Sequence, residues 1–82
     1  MNIYVGNLPY TISESELSGV FSKYSDIASV RIIKDKFSGR SKGFAFVEME
    51  DNSAAQKAIS ELNGIDLKGR NIIVNEARPA KQ

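Results

Sequence analysis

Residues Lys42-Gly43-Phe44-Ala45-Phe46-Val47-Glu48-Met49 constrain the fold of this chain more than any other segment. Side chains of a strand alternate between its two faces. Ala45, Val47 and Met49 then form an apolar set. Lys42, Phe44, Phe46 and Glu48 form the opposite set, which mixes two phenylalanines with a lysine and a glutamate. A buried face does not accommodate that mixture, because an unpaired charge is costly to bury. The segment reads as a strand with one packed side and one side open to water. Reversing the assignment would bury Glu48 and expose Val47.

The rest of the chain supplies the packed side. Ile3-Tyr4-Val5 is a short strand stopped by Gly6-Asn7 and Pro9, with Ile3 and Val5 inward and Tyr4 outward. Ser13 and Glu16 have capping-box spacing at the start of a helix. Leu17, Val20, Phe21 and Tyr24 continue it as one apolar stripe, and the helix is predicted to end near Tyr24 or Ser25. Residues 27–34 form a second extended segment, in which Val30 and Ile32 alternate with Ser29, Arg31 and Ile33. Residues 35–41 are a loop. Asp51 or Asn52 caps a second helix, whose stripe is Ala55, Ala58, Ile59 and Leu62, with Gly64 at its C′ position. Residues 65–70 are a connection with turn character. Ile72-Ile73-Val74 is the last strand, with Ile72 and Val74 inward and Asn71, Ile73 and Asn75 outward.

The order is strand, helix, strand, strand, helix, strand. Two strand-helix-strand units with right-handed crossovers give an α+β, ferredoxin-like sandwich: a four-stranded antiparallel sheet with both helices on one face. Residues 1–79 are expected to form the single domain and residues 80–82 a short tail.

Composition removes whole classes of function. The 82 residues contain no cysteine and no histidine, which leaves no zinc or haem ligands of those types, no Ser-His-Asp triad and no Cys-His pair. No metal and no cofactor is expected, and no enzyme activity. The N-terminal residues lack the pattern of a signal peptide and no apolar run is long enough for a membrane, so the chain reads as soluble and intracellular. The formal net charge is only +1, but the charges are distributed in blocks. Arg31, Lys34, Lys36, Arg40 and Lys42 stand against Asp35 alone in residues 31–42. Lys68, Arg70, Arg78 and Lys81 stand against Glu76 alone in residues 67–82. The segments between are acidic.

The open face therefore carries Tyr4, Phe44 and Phe46, with Arg31 and Lys42 on the same side. Solvent-facing aromatics mark a contact surface, and flat rings can stack on nucleobases for roughly 1–3 kcal/mol each. At this point the residues resemble a known family. Lys42 through Met49 resembles the octamer signature of the RNA recognition motif, [KR]-G-[FY]-[GA]-F-V-x-[FY]. Ile3-Tyr4-Val5-Gly6-Asn7-Leu8 is similar to that family's hexamer on the first strand. Met49 departs from the octamer, which has an aromatic there; by parity it faces the core. The chain resembles compact bacterial RNA-binding proteins, similar in turn to the N-terminal module of plant glycine-rich RNA-binding proteins.

The resemblance implies roles for particular residues. Tyr4 and Phe44 would stack on successive bases, Phe46 would pack against a sugar or between nucleotides, and Lys42 would pair with a phosphate. Asn2, Arg31, Asn75 and Arg78, with backbone groups near Ala77, would contact base edges. Tyr10 and Tyr24 are expected to be structural, and Phe37 to tuck against its own loop. The expected partner is single-stranded RNA, bound by a monomer in the cytoplasm, or in the nucleus of a eukaryotic source. A role as an RNA chaperone or post-transcriptional regulator fits the resemblance. The alternatives are single-stranded DNA and a protein-interaction module on the same fold, the latter disfavoured by the three sheet aromatics together.

Overall fold

The structure is a computed structural model that describes residues 1–34, 37 and 41–77, with Ser41 and Lys42 described by backbone alone. The loop positions 35–36 and 38–40, Arg78, and the expected domain boundary after residue 79 lie outside the described residues.

The elements run β1 (Asn2–Gly6), α1 (Glu14–Phe21), β2 (Ile27–Lys34), β3 (Ser41–Met49), α2 (Asn52–Leu62), β4 (Asp66–Leu67), β5 (Arg70–Asn71) and β6 (Ile73–Ala77). The main sheet has the order β2-β3-β1-β6, and every neighbouring pair is antiparallel. This is the sandwich expected from the order of elements. The inward residues of its strands, Ile3, Val5, Ala45, Val47, Met49 and Val74, are all fully buried, as is Ile72, which lies between β5 and β6 rather than in the last strand. Leu17 and Phe21 of α1 and Ala55, Ala58 and Leu62 of α2 close over them. Full burial of a large aliphatic or aromatic side chain contributes roughly 1.5–3 kcal/mol, so each of the large residues among these is a substantial favourable contribution. Among the described residues no helix is long and apolar enough to cross a membrane.

The helix termini follow their caps. Ser13 Oγ accepts from the Glu16 N–H at 3.0 Å, and Glu16 Oε1 accepts from the Ser13 N–H at 2.9 Å. Glu14 Oε2 accepts from the Ile32 N–H of β2 at 3.3 Å. Helix α1 ends at Phe21, earlier than its apolar stripe suggests. The Tyr24 N–H reaches back only to the Phe21 carbonyl, at 3.1 Å, so the chain tightens into a turn after the cap. That turn still places Tyr24 against the core. Its hydroxyl donates to Glu61 Oε1 of α2 at 3.0 Å. Partial burial and the adjacent Glu61 carboxylate hold that hydroxyl above its usual pKa. Asp51 caps α2 by accepting from the Ala54 N–H at 3.1 Å, and Gly64 follows the helix with φ 89°.

Three local features depart from the simple alternation. Ile27 pairs with Met49 while Ser29 pairs with Glu48, so β2 spends two residues where β3 spends one. This bulge at Ala28 turns Ile27 inward against the core, where strict alternation with Val30 and Ile32 would put it outside. Toward the other end, Ile32 pairs with Ala45 and Lys34 with Ser41, so β3 spends four residues against two. Gly43 lies within that irregular stretch at φ 88°, a conformation that a side chain would strain. Finally, residues 66–71 form a small antiparallel hairpin rather than a plain connection. Its loop is Lys68-Gly69, with φ 52° and 90°, the geometry of a type I′ turn. Pairs only two residues long leave no alternation to read in a sequence.

The hairpin is tied to α1 by an exposed ion pair, Lys68 Nζ to Glu16 Oε2 at 2.6 Å. The Lys68 contact first, then the Ser13 N–H, holds the Glu16 carboxyl below its ordinary value of 4.5. A depressed folded-state pKa stabilises the fold above the unfolded value, and the benefit is lost as pH falls through the folded value. Thermal melts of native protein and Glu16→Gln should therefore differ slightly near neutral pH and converge well below pH 4.5. A difference that persists undiminished in strong acid would remove the ion pair as its cause.

Candidate nucleic-acid interface

The uncovered face of the sheet is ordered in rows by the strand register. The central row runs Arg31, Phe46, Tyr4, Asn75 across β2, β3, β1 and β6. The row beside it runs Ser29, Glu48, Asn2, Ala77. On the other side Gly6 pairs with Ile73, and Phe44 lies one step beyond the Val5–Ala45 pair. Tyr4, Phe44 and Phe46 reach this face because their chain neighbours Ile3, Val5, Gly43, Ala45 and Val47 are buried.

Tyr4, Phe44 and Phe46 form a closed triangle. The centroid separations are 6.0 Å for Tyr4–Phe44, 6.0 Å for Tyr4–Phe46 and 6.1 Å for Phe44–Phe46. The last two pairs meet edge to face, at interplanar angles of 62° and 86°, the arrangement favoured by ring quadrupoles. Tyr4 and Phe44 are half-buried, and Phe46 is 37% exposed. Ile73, 46% exposed, adds an aliphatic side chain from β6. The Tyr4 ring lies over Gly6. A Cβ built on Gly6 would stand 2.5 Å from the Tyr4 hydroxyl oxygen and 2.8 Å from Cε2. Gly6 is therefore part of the platform, because its missing side chain is the space that the Tyr4 ring occupies.

The polar groups around the rings differ from end to end. Glu48 accepts from the Ser29 hydroxyl at 3.5 Å, a long contact that leaves the carboxylate exposed. Arg31, also exposed, flanks Phe46. At the opposite end, Arg70 donates through Nη2 to Asn7 Oδ1 at 2.6 Å and lies 5.7 Å from the Tyr10 ring centroid. Among the described residues no group of three or more acidic side chains could hold a metal ion.

Of the residues singled out from sequence, the structure gathers Tyr4, Phe44, Phe46, Arg31 and Asn75 closely and sets Asn2 and Ala77 in the adjoining row. Arg78 and the Lys42 side chain lie outside the described residues. The alternation that links Lys42 to Phe44 in the sequence passes through Gly43, where the backbone leaves the regular strand. Two aromatic expectations are corrected. Tyr10 is 63% exposed instead of packed, because Leu8 and Ile12 on either side take the buried positions of its loop. Phe37 is 97% exposed. The sequence reading also missed Gly6 beneath Tyr4 and the contact of Arg70 with Tyr10. The first had a signal in the Tyr4–Gly6 spacing of two, which puts both on one face; the second joins residues far apart in the chain.

Comparison with known proteins gives one consistent answer. Residues 3–73 match the sequence profile described as the RNA recognition motif. A relative from Nostoc sp., described as the putative RNA-binding protein RbpE, is 44% identical over 82 residues, which is 100% of this chain and 83% of the relative. The crystal structure of RNA Binding Protein PG1 superposes with a TM-score of 0.94 at 48% identity, covering 100% of this chain and 99% of that one. A Sxl-lethal protein/RNA complex superposes at 0.92 with 34% identity, covering 99% of this chain and 48% of that one.

The geometry makes Gly6→Ala a test of the platform that spares the core. The backbone at Gly6 is not in the left-handed region, and the three heavy atoms nearest the added methyl all belong to the Tyr4 side chain. The variant should fold, and the Tyr4 ring should swing away from Gly6. Proton NOEs between Tyr4 and the two phenylalanines report this directly; unchanged NOEs would mean that the backbone gives way instead.

Proposed function

We propose that this chain, which belongs to the RNA recognition motif family, binds single-stranded RNA on the open face of its sheet. The observation that carries the proposal is the triangle of Tyr4, Phe44 and Phe46 on the side of the sheet away from α1 and α2. Apolar rings held at a wet surface have unspent stacking capacity, and unpaired bases are flat, apolar on their faces and polar on their edges. Tyr4 and Phe44 stack on two successive bases, and Phe46 packs against a sugar or between the nucleotides. Arg31 and Asn75, in the same row, and Asn2 and Ala77 in the next, hydrogen-bond base edges and backbone. Lys42 neutralises a phosphate, and Arg78 extends the contact beyond β6.

A surface of this size engages roughly two to four nucleotides, so affinity is modest and falls with salt. The protein acts as a cytoplasmic monomer (nuclear in a eukaryotic source), a binding module without catalysis. A helper role in RNA stability or translation fits a binder that grips few bases. Single-stranded DNA is the second reading, because stacking alone does not sense the sugar; preference for RNA requires a contact to the 2′-hydroxyl.

Titration with pooled short RNAs and matched DNAs, followed by amide shifts, tests both readings. Shifts should concentrate in residues 2–6, 42–48 and 72–78. Replacing Tyr4, Phe44 and Phe46 together by alanine should abolish binding while circular dichroism and melting remain those of a folded domain. A variant that fails to fold would return the rings to the core, and one that still binds would move the site elsewhere. Lys42→Ala should weaken all RNAs alike and make the salt slope shallower by about one. Sequence-selective weakening would contradict its phosphate role.

A further inference from the structure

Tyr10 lies outside the buried core. It is 63% exposed, yet its loop is firmly placed. Leu8 and Ile12 are buried on either side, the Leu8 N–H donates to the Gly43 carbonyl at 2.8 Å, and the Ile12 N–H donates to the Pro9 carbonyl at 3.2 Å. Arg70 stands over the ring, its guanidinium carbon 5.7 Å from the centroid. It is held there by two donations to Asn7, at 2.6 Å to Oδ1 and 3.4 Å to the carbonyl. Asn7 is fixed in turn by donating through Nδ2 to the Asn71 carbonyl at 2.8 Å. An exposed ring and an exposed guanidinium are thus both presented on fixed backbone, one from the β1–α1 loop and one from β5.

This pair continues the aromatic triangle. Tyr10 Cε1 lies 3.3 Å from the place where a Cβ on Gly43 would stand, and Gly43 is bonded to Phe44. Asn7, which holds Arg70, follows Gly6, over which the Tyr4 ring lies. Gly6 and Gly43 contribute no side chain at this end of the sheet. A strand of RNA leaving the triangle here meets a ring and a cation with no side chain from those two positions to cross.

We infer that Tyr10 and Arg70 form an additional nucleotide subsite, at which Tyr10 stacks on a base flanking those on the triangle and Arg70 takes that nucleotide's phosphate. The inference rests on the reading that Tyr4, Phe44 and Phe46 bind single-stranded RNA. Guanidinium suits both parts of the task, because it pairs with phosphate oxygens through its free N–H edge and lies flat against π faces. Two of its N–H groups serve Asn7, and the remaining donors can serve an acceptor. Fixed placement lowers the ordering cost of binding.

The test compares a roughly two-nucleotide RNA, enough for the triangle alone, with a pooled RNA of roughly six nucleotides. Tyr10→Ala should bind the short RNA like native protein and the longer one about tenfold more weakly. Tyr10→Phe, which keeps the ring, should restore the longer RNA. Arg70→Ala should make the salt slope for the longer RNA shallower by about one and leave the slope for the short RNA unchanged. Equal binding of the longer RNA by native and Tyr10→Ala protein overturns the subsite. So does equal weakening of both lengths, which would mark Tyr10 as a support for the sheet. Failure of the native protein to bind either RNA overturns the reading of the triangle itself, and the subsite with it.

Discussion

Two helices can dry only one side of a four-stranded sheet, and that limit organises everything else in this protein. The strands meet it by sorting their side chains. Ile3, Val5, Ala45, Val47, Ile72 and Val74 lie beneath the helices without measurable exposure. What remains for the other side does not form a second core, because no element among the described residues covers it. The rings of Tyr4, Phe44 and Phe46 shelter one another there at centroid distances close to 6 Å. Arg31, Asn75 and Glu48 around them keep the surface wet. The result is an apolar cluster small enough to be tolerated in water and broad enough to accept a base.

Much of this was legible in the residues. The alternation from Phe44 to Met49 was enough to separate the faces, since only one assignment leaves Glu48 in water. The capping box at Ser13 and the stripe of α2 fixed the helices as well. The departures in the elements share a cause, a backbone that leaves its regular period. The stripe of α1 runs on to Tyr24, but the helix stops at Phe21 and a tight turn delivers Tyr24 to the same surface. The bulge at Ala28 turns Ile27 inward against the alternation. The hairpin of residues 66–71 rests on two consecutive positive φ angles, one of them at Lys68, a residue type with no special taste for them. Of the candidate site, the central row could be read from parity, while the approach of Arg70 to Tyr10 is a product of tertiary folding.

Several charged side chains are already engaged within the fold. Helix α1 carries Glu14 and Glu16 and no basic residue. Glu61 on α2 is engaged by Tyr24, and Glu16 by Lys68. Arg31 stands instead in the central row of the open face, and Arg70 at its glycine-floored end. Arg31 and Arg70 thus remain beside the aromatic face, where a polyanion could meet them, although the formal net charge is only +1. Overall charge is a poor guide to how charges are placed around a site.

The bond from the Ile32 N–H to the Glu14 carboxylate has a consequence beyond the placing of α1. Strand β2 ends the sheet, so its outer backbone groups are what another extended chain would zip onto. A carboxylate already sits on one of those donors. An incoming strand would have to displace it and place its own carbonyl beside a negative charge. The same glutamate that begins a helix thus raises the cost of pairing at this edge of the sheet.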